Sequence, residues 1–284
     1  RRTTYAAEPV DLDGDGDIDL VVGNDFAPNQ VFLNDGNARF EPGMTFGELT
    51  SVRSLEIADL NRDGKPDVLS TCRGRPNQIY LNQGNGNLSE GIPYGTSQDS
   101  TIDVAVVDWN GDDLPDLILA NRDRQRNTIL FNDGELRFDS KIEFGTADQQ
   151  SRAIATGDLD GDSRQDLFIG NLGQPNRVLL SDGRGGIKAS LDLGSPDGET
   201  YSVSVADFDG DGDLDLVAGN VGQQNSVYFN QGDGVTYVTV HFGEPMGASY
   251  GLDVGDVDGD GLPDIVVANS GSNNRVYLNR PPLP

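Results

Sequence analysis

Six copies of one acidic segment carry the residues of this sequence that could do chemistry. The first copy, residues 11–19, reads Asp-Leu-Asp-Gly-Asp-Gly-Asp-Ile-Asp. The later copies recur about 49 residues apart and begin at Asp59, Asp108, Asp158, Asp207 and Asp256. A fixed period of this length indicates that the chain is built from six repeats of one structural unit.

When the six copies are aligned, the residue types at each position indicate a site for a hard cation. Positions 1, 5 and 9 are Asp in every copy, and position 3 is Asp or Asn. Position 7 varies as widely as Asp17, Lys65 and Leu114, so we expect it to contribute its backbone carbonyl. Carboxylate oxygens with one carbonyl form the ligand set of Ca²⁺, and glycines at positions 4 and 6 permit a tight wrap. The sequence therefore predicts up to six bound Ca²⁺ ions.

The predicted calcium ligands are positions 1, 3, 5, 7 and 9 of each copy. They are Asp11, Asp13, Asp15, Asp17, Asp19, Asp59, Asn61, Asp63, Lys65, Asp67, Asp108, Asn110, Asp112, Leu114, Asp116, Asp158, Asp160, Asp162, Arg164, Asp166, Asp207, Asp209, Asp211, Asp213, Asp215, Asp256, Asp258, Asp260, Leu262 and Asp264. The pattern is not that of an EF-hand, because position 12 is never the bidentate Glu that an EF-hand requires. Copies 1, 5 and 6 have the most favourable residues. Copy 2 has the fewest acids and should bind most weakly, while copies 3 and 4 replace one glycine by Asp113 and Ser163.

Short alternating segments on both sides of each loop predict β-strands. Strand A precedes the loop, as at residues 54–58, and strand B follows it, as at residues 20–22. A polar connection ending in Asn leads to strand C, as at residues 31–33, and a turn leads to a weaker strand D, as at residues 39–40 or 137–138. Each unit then closes on an aromatic-Gly or Leu-Gly pair, and no segment has a helical pattern.

Four antiparallel strands in a period of about 49 residues are typical of a propeller blade. The sequence therefore predicts an all-β fold: a six-bladed β-propeller of four-stranded antiparallel blades, with one calcium loop in each, forming a single domain over residues 1–284. A linear solenoid fits less well, because its terminal units should resemble caps. One strand D is missing after the last strand C. Either the ring closes on a three-stranded blade or the chain is a fragment of a longer one.

Composition limits the class of partner. The net charge is −27, but more than half of the 47 acidic residues lie in the six loops, where bound Ca²⁺ would neutralise much of their charge. The acidity is thus explained by metal binding, and we expect no nucleic-acid partner. The one cysteine, Cys72, permits no intramolecular disulfide and ends an apolar run, which predicts a buried thiol.

The cellular location follows from the calcium loops and from the apolar runs. No apolar run reaches the ~18 residues of a membrane-spanning helix, so we expect no membrane insertion. Loops of this kind fill most readily where free Ca²⁺ is high, outside the cytosol. We therefore expect an exported protein with its leader removed, secreted or at the cell surface, with the periplasm as another possibility. We expect a monomer or a part of a larger chain.

Three features together resemble the FG-GAP and VCBS repeat proteins, whose best-known members are the integrin α-subunit propellers. They are the Asp-x-Asp-Gly-Asp-Gly-x-x-Asp loop, the Leu-Val-Val-Gly-Asn at residues 20–24 and the Phe-Gly pairs such as Phe46-Gly47. The resemblance spans essentially the whole chain and implies a propeller with calcium in its loops, on the face away from ligand. The short, Asn-rich units look more like microbial secreted repeats, which occur in adhesion modules, lectins and accessory parts of polysaccharide-degrading enzymes.

Ligand would then meet the face formed by the B–C and D–A turns. The candidate ligand-binding residues are those of the B–C turns of copies 2 and 3 and the residue six positions before each loop: Arg53, Arg73, Arg75, Arg122, Arg124, Arg126, Arg152, Tyr5, Tyr201 and Tyr250. An arginine sector facing a tyrosine sector would suit an acidic polysaccharide, through contacts to carboxylate or sulfate and through ring stacking. The alternative interpretation is that the arginines solubilise the turns and the tyrosines pack at strand ends.

Recognition is better supported than catalysis. The only histidine, His241, falls late in a strand D, and one His with one Cys forms no nucleophile–base arrangement. The polar strand-A residues Glu8, Glu56, Asp103 and Asp253 are interpreted as hydrated walls of a central channel. The sequence thus predicts a calcium-binding extracellular recognition or adhesion module for a carbohydrate or protein ligand. The alternatives are a lyase or glycoside hydrolase of acidic polysaccharide, and a structural spacer of a larger surface protein.

Overall fold

A computed structural model describes residues 3–280, and β-strands are the regular secondary structure of that range. These residues form 25 strands, arranged as six antiparallel sheets and one short hairpin. The prediction of an all-β, six-bladed propeller fold is confirmed by these blades. Within residues 3–280 there is no helix long and apolar enough to cross a membrane.

Blades 1 to 3 lie in the first of two compact units, which comprises Arg1–Val107 and Asp113–Asp148. Blade 1 contains β1 (Thr3–Val10), β2 (Asp19–Asp25), β3 (Asn29–Asn34) and β4 (Phe40–Phe46). Blade 2 contains β5 (Val52–Ala58), β6 (Asp67–Cys72), β7 (Asn77–Tyr80) and, after a hairpin of β8 (Asn82–Gly84) and β9 (Asn87–Leu88), β10 (Ile92–Tyr94). Blade 3 contains β11 (Thr101–Val107), β12 (Asp116–Asn121), β13 (Asn127–Phe131) and β14 (Ser140–Phe144).

Blades 4 to 6 lie in the second unit, which comprises Asp108–Asp112 and Gln149–Pro284. Blade 4 contains β15 (Ser151–Gly157), β16 (Asp166–Asn171), β17 (Asn176–Ser181) and β18 (Ile187–Leu193). Blade 5 contains β19 (Thr200–Ala206), β20 (Asp215–Asn220), β21 (Asn225–Asn230) and β22 (Tyr237–Phe242). Blade 6 contains β23 (Ser249–Gly255), β24 (Asp264–Asn269) and β25 (Arg275–Tyr277). The single domain over residues 1–284 stays a prediction.

Each sheet is a meander in chain order, which agrees with the predicted order of strands A, B, C and D. Blade 6 has three strands in the described range, as the missing strand D predicted. One predicted strand D is wrong, because residues 137–138 precede β14 rather than form it. The reason is a tight turn in which the Asp133 carboxylate accepts the backbone N–H groups of Glu135 and Arg137 at 2.9 and 3.1 Å.

The core of each unit lies between consecutive blades and is formed mainly by strands B and C. Every residue of β12 and of β16 is buried, which explains why strand B reads as a continuous apolar run rather than an alternating one. Loop position 2 also belongs to the core: Leu12 is 1% exposed and Trp109 is fully buried. Loops 1 to 5 are therefore anchored to the core at their second residue, as the apolar residues at this position suggested, whereas Val257 of loop 6 is 54% exposed.

The aromatic-Gly pair that closes a unit packs against the strand C of the next blade. The ring of Phe46 meets that of Tyr80 edge-on at 4.8 Å between centroids. A Cβ atom on Gly47 would lie 2.8 Å from the hydroxyl oxygen of Tyr80, and the φ of Gly47 is +76°. Glycine is thus required here both by the close approach of the tyrosine and by the left-handed backbone.

Candidate metal loops and ligand face

Strands A and B position each acidic loop, because strand A ends at the residue before the loop and strand B begins at the last loop residue. In blade 1, β1 ends at Val10, and β2 begins at Asp19, the ninth loop position. Between them, the Asp11 carboxylate accepts the backbone N–H groups of Gly14 at 2.8 Å and Gly16 at 3.0 Å. Both glycines have positive φ, so the chain wraps around the first carboxylate as predicted.

The ninth loop position has a role that the sequence did not reveal. Asp19 is fully buried, and its two carboxylate oxygens accept the backbone N–H groups of Leu12 at 3.0 Å and Asn34 at 2.8 Å. The carboxylate therefore ties the start of the loop to the end of strand C. Burial raises the pKa of the equivalent Asp166 and Asp215 to about 6. The repetition of Asp at position 9 was visible in the sequence, but its backbone partners were not.

Four of the loops bring three acidic side chains close together in the described residues. In each group one carboxylate oxygen per residue lies within 4.8 Å of the others. The groups are Asp11, Asp13 and Asp15; Asp158, Asp160 and Asp166; Asp207, Asp209 and Asp215; and Asp256, Asp258 and Asp260. These groups include copies 1, 5 and 6, which the sequence ranked highest, and also copy 4.

Position 7 participates through its backbone, whatever its side chain. The backbone N–H of Asp17, Lys65 and Leu262 each donates to the carboxylate of the position-5 Asp, at 3.0 Å in all three loops. The backbone therefore follows the same course for an acid, a base and an aliphatic residue, and the contribution of the position-7 carbonyl to a metal site stays a prediction.

Basic side chains already lie against several of these acids. Lys188 Nζ lies 2.5 Å from Asp160 and 3.3 Å from Asp162, and these contacts raise the pKa of Lys188. Arg280 likewise bridges Asp258 at 2.7 Å and Asp260 at 3.2 Å. A positive group between two loop carboxylates stands where a cation would balance their charge.

The residues present fit a hard divalent cation. The candidate ligand atoms in the four groups are carboxylate oxygens, the donor type that Ca²⁺ prefers. In loop 4, the Oδ1 atom of Asp160 is buried and has no hydrogen-bond partner within the described part of the chain. A buried carboxylate oxygen without a partner costs free energy, which a coordinated cation would offset.

Loops 2 to 4 depart from the favourable pattern in ways that the structure makes specific. Arg62, Asp113 and Ser163 replace glycine at position 4 or 6 and adopt φ values of +61°, +67° and +67°. In loop 2, the Lys65 ammonium reaches back to Asp63 at 2.9 Å, which places a positive charge among the few acids of this copy. Loop 3 is divided between the two units, with Asp108–Asp112 in the second.

An Asn at the end of strand C links successive repeats and was interpreted from the sequence only as part of a turn. Asn82 Nδ2 donates to the Leu12 carbonyl of the preceding loop at 2.9 Å, and Asn279 Nδ2 donates in the same way to Phe208 at 2.7 Å. The recurrence of Asn after strand C was a usable signal, but its partner lies about one and a half repeats earlier in the chain.

The other recurrent Asn, before strand C, closes the B–C turn. The side-chain carbonyl of Asn29 accepts the backbone N–H of Asn24 at 3.0 Å, and Asn77 accepts that of Cys72 at 2.8 Å. The buried Cys72 thiol agrees with the prediction for this residue. These turns lie at the end of the strands opposite the acidic loops, on the predicted ligand face.

In blades 1, 2, 4, 5 and 6, a β-bulge at the start of strand A contains the candidate residue six positions before the loop. In blade 3 the same position is Ile102, which is buried. The register between strands A and B shifts around Tyr5, Arg152, Tyr201 and Tyr250, each of which is the extra residue, and also around Arg53 and Ser54. A bulge re-aims the side chain of its extra residue, and here it directs Tyr5 and Tyr250 outward, so that each is about half exposed at 50% and 48%. We call these five residues, Tyr5, Arg53, Arg152, Tyr201 and Tyr250, the bulge row.

Arginines and tyrosines of the bulge row stack on one another, so the predicted opposition of an arginine sector and a tyrosine sector is wrong. In the first unit the Arg53 guanidinium lies 4.5 Å from the ring centroid of Tyr5. In the second unit Arg152 lies 5.4 Å from the ring of Tyr201, which meets Tyr250 edge-on at 4.7 Å. The reason is that residues at the same position of adjacent strands A are neighbours, so that an arginine lies beside a tyrosine in each unit.

The arginines of the B–C turns differ from one another in their contacts and in their exposure. Both Nε and Nη2 of Arg73 donate to the Asp123 carboxylate at 2.7 Å, and this contact lowers the pKa of Asp123. Arg73 is therefore engaged within its own unit. Arg75, Arg124 and Arg126 are exposed, and Arg122 is half-buried.

The acidic strand-A residues of the first unit interact with one another. Glu8, Glu56 and Asp103 lie on the neighbouring strands β1, β5 and β11. Burial, together with the charges of Asp103 and Glu8, raises the pKa of Glu56 to about 8. Glu56 is thus a carboxylic acid at neutral pH, rather than a hydrated anion as the channel interpretation implied.

Five overlapping segments of the chain match the FG-GAP-like repeat: residues 11–70, 59–119, 108–169, 158–218 and 207–267. The chain belongs to the FG-GAP-like repeat family. Each segment begins at an acidic loop and ends in the strand B after the next loop, so the family pattern contains the loops described above. Comparison with curated protein sequences gave no match.

Solved structures with a similar fold have little sequence in common with this FG-GAP-like repeat protein. The BP39L lectin from Burkholderia pseudomallei has 11% identity and a TM-score of 0.72, over 97% of this chain and 84% of its own. BBS1N, crystallised in complex with ARL6DN, has 15% identity and a TM-score of 0.60 in a mercury-soaked crystal, over 98% of this chain and 92% of its own. At such identities the likeness concerns the fold alone.

Proposed function

We propose that this FG-GAP-like repeat protein is a calcium-binding extracellular recognition module that binds acidic carbohydrate at the bulge-row residues of each unit separately. The observation that carries this proposal is the stacking of Arg53 on Tyr5 and of Arg152 on Tyr201. A half-exposed ring offers a face to the C–H groups of a sugar, and a guanidinium held beside it offers a planar fork to a carboxylate or sulfate.

In this proposal the two ends of strand A have different functions. The acidic loops bind Ca²⁺, which offsets their mutual repulsion and stabilises the blades, because metal binding is linked to folding. The bulge row lies at the other end of strand A, about 20 Å away for a strand of seven residues. Likeness to a lectin fold and to a propeller crystallised with a protein partner is compatible with carbohydrate or protein as ligand. We favour carbohydrate because the bulge row combines exposed tyrosine rings with half-buried guanidinium groups.

Calcium binding is tested by thermal unfolding and by calorimetric titration of chelator-treated protein. We expect the melting temperature to rise markedly with added Ca²⁺ and to fall again with chelator, because each occupied site stabilises the folded state by mass action. Replacing Asp207 by Asn in loop 5 should remove one site from the stoichiometry, because position 1 is Asp in every copy. A melting temperature that does not respond to Ca²⁺ contradicts the metal part of the proposal.

Ligand binding is tested by incubating the Ca²⁺-loaded protein with immobilised acidic and neutral polysaccharides, while following both retention and the release of reducing or unsaturated ends. We expect retention on a uronic-acid polysaccharide without product. Replacing Arg152 or Tyr250 by Ala should weaken retention at least tenfold. Arg39→Ala should not, because Arg39 lies just before β4 at the acidic-loop end of blade 1, where it pairs with Glu41 at 2.7 Å.

The outcomes separate the alternatives. Release of product would contradict a binding module and support a lyase or hydrolase. Retention that survives both Arg152→Ala and Tyr250→Ala would place the ligand elsewhere on the protein. If no polysaccharide is retained, carbohydrate is the wrong ligand class, and a protein partner or a spacer role replaces it.

A further inference from the structure

A polar cleft of about 470 Å³ lies between blades 4 and 5 within the second unit, apart from the residues of the bulge row. Its volume is within the range of small-molecule sites, about 300 to 1,000 Å³. Tyr228 and Gly194 form its base: a Cβ atom on Gly194 would lie 2.6 Å from the Tyr228 hydroxyl oxygen. The glycine of the Leu-Gly pair therefore permits the close approach of the tyrosine hydroxyl.

The inner wall of the cleft is held by hydrogen bonds between its own residues. The Asn220 side chain accepts the hydroxyl of Thr200 at 2.7 Å and donates to the Gln224 carbonyl at 2.7 Å. The Ser226 hydroxyl lies 3.0 Å from Nδ1 of His241. This wall is therefore preformed, which reduces the entropy that a ligand must lose.

The outer wall offers hydrogen-bonding groups to a ligand. The amide nitrogens of Gln223 and Gln224 donate to the backbone carbonyls of Asp197 and Gly243, at 3.3 and 3.1 Å. Each glutamine thereby turns its amide nitrogen to the protein and keeps a side-chain oxygen that can accept from a ligand. Thr239 and His241 are exposed on β22 and line the same cleft.

The described lining contains amide, hydroxyl, phenol and imidazole groups and no Asp, Glu, Lys or Arg. Two other clefts between consecutive blades do contain charged residues. The one between blades 1 and 2 is lined by Glu48 and Glu90, and the one between blades 5 and 6 contains Glu244 and Arg275, 3.7 Å apart. In a chain of net charge −27, a neutral cleft of this size selects against both cations and anions.

We propose that the cleft between blades 4 and 5 binds one neutral sugar residue, through Gln223, Gln224, Thr239 and His241. Sugar hydroxyl groups are both donors and acceptors, so they match amide oxygens, a hydroxyl and a ring nitrogen, and the imidazole ring can also cover C–H groups. This inference rests on the proposed function only in taking carbohydrate as the ligand. The cleft uses residues outside the bulge row. Its ligand is a neutral sugar, whereas the ligand of the bulge row is acidic.

The test is titration of the Ca²⁺-loaded protein with methyl glycosides of glucose, galactose, mannose and N-acetylglucosamine, followed by ligand-observed NMR. For a ligand of this size we expect one site with a Kd on the order of 1 mM. His241→Ala and Gln223→Ala should each weaken binding about tenfold. His241 is exposed and Gln223 is half-buried in the B–C turn, so we expect both variants to keep the blade intact. Glu143→Ala is the matched control: Glu143 pairs with Thr128 in blade 3 at the register where His241 pairs with Ser226.

The same variants distinguish this site from the bulge row. Loss of glycoside binding in His241→Ala but not in Tyr250→Ala or Glu143→Ala supports the cleft. Glycoside binding that survives both His241→Ala and Gln223→Ala, or the failure of every neutral glycoside to saturate the protein, overturns it. Retention on uronic-acid polysaccharide, measured in parallel on His241→Ala and Tyr250→Ala, reports on the proposed function alone.

Discussion

The side-chain amide of Asn230 donates a hydrogen bond to the backbone carbonyl of Leu159, 2.7 Å away in space and 71 residues earlier in the chain. Its own backbone N–H donates to Asp215 at 2.8 Å, so one residue joins the acidic loop of its blade to that of the blade before. Asn82 and Asn279 make the same connection to Leu12 and Phe208. The acidic loops are thus coupled from repeat to repeat through asparagine.

Replacing Asn230 by Ala should lower the free energy of unfolding by about 1 to 3 kcal/mol, because the buried Leu159 carbonyl loses its partner. Denaturant unfolding at fixed Ca²⁺ measures the change. Asn34→Ala is the control: Asn34 Nδ2 donates at 3.0 Å to Ile18 of its own blade, at an exposed position, so a smaller loss is expected. Equal losses in the two variants would contradict the role of the link between blades.

Replacing Ser163 by Gly in loop 4 should raise the free energy of unfolding by about 0.5 to 1 kcal/mol. The φ of Ser163 is +67°, a conformation that costs a residue with a Cβ atom about 1 to 2 kcal/mol, and glycine recovers part of that cost. Thermal unfolding of the Ca²⁺-loaded protein measures it. Ser163→Ala keeps the Cβ atom and should give no gain, so a gain in both variants would show that the hydroxyl, not the backbone, was the cause.

Replacing Lys188 by Met should tighten Ca²⁺ binding at loop 4 by about 3- to 10-fold, because the ammonium that pairs with Asp160 and Asp162 competes with the metal. Calorimetric titration measures the affinity, and a second substitution, Asp158→Asn, should abolish the tightened site. Lys141→Met on β14 removes the same charge at an exposed position of blade 3 and should leave affinity unchanged. Weaker binding in Lys188→Met would make the lysine a support of the site instead.

Glu56 should make the folded protein less stable as the pH rises. Its pKa is raised to about 8 in the folded state, above the ordinary value of 4.5, so the folded state holds the proton more tightly than the unfolded state. Its stabilising contribution is complete below pH 4.5 and is lost as the pH rises through 8, with a limiting slope of about 1.4 kcal/mol per pH unit.

Glu56→Gln should remove this contribution to the pH dependence. Unfolding free energies of both proteins at constant Ca²⁺, measured from pH 5 to pH 9, should diverge as the pH rises, with the variant the more stable at the alkaline end. Because the six loops are the same in both proteins, their titration cancels in the difference. Parallel curves would mean that Glu56 ionises normally in the folded state.

The sequence by itself determined the repeat, the blade and the candidate metal ligands. Each depends on residues that are close in the chain. The spacing of Asp11 to Asp19 defines a loop, and alternation beside it defines two strands, so a local pattern recurring six times was sufficient. The sequence also showed that Tyr5 and Arg53 occupy equivalent positions before their loops. It showed the aromatic-Gly pairs as well, but it did not explain why glycine is needed there.

Only the tertiary structure decided how these residues meet. The stacking of Arg53 on Tyr5 requires two bulges on neighbouring strands, and the bond from Asn230 to Leu159 spans 71 residues. The close approach of the Tyr228 hydroxyl likewise requires Gly194, in the blade before it. Such contacts arise from the register of strands that are distant in the chain, and a one-residue bulge changes which side chain is displayed without changing the hydrophobic pattern around it. For that physical reason the blades were predictable from the sequence, whereas the surfaces between them were not.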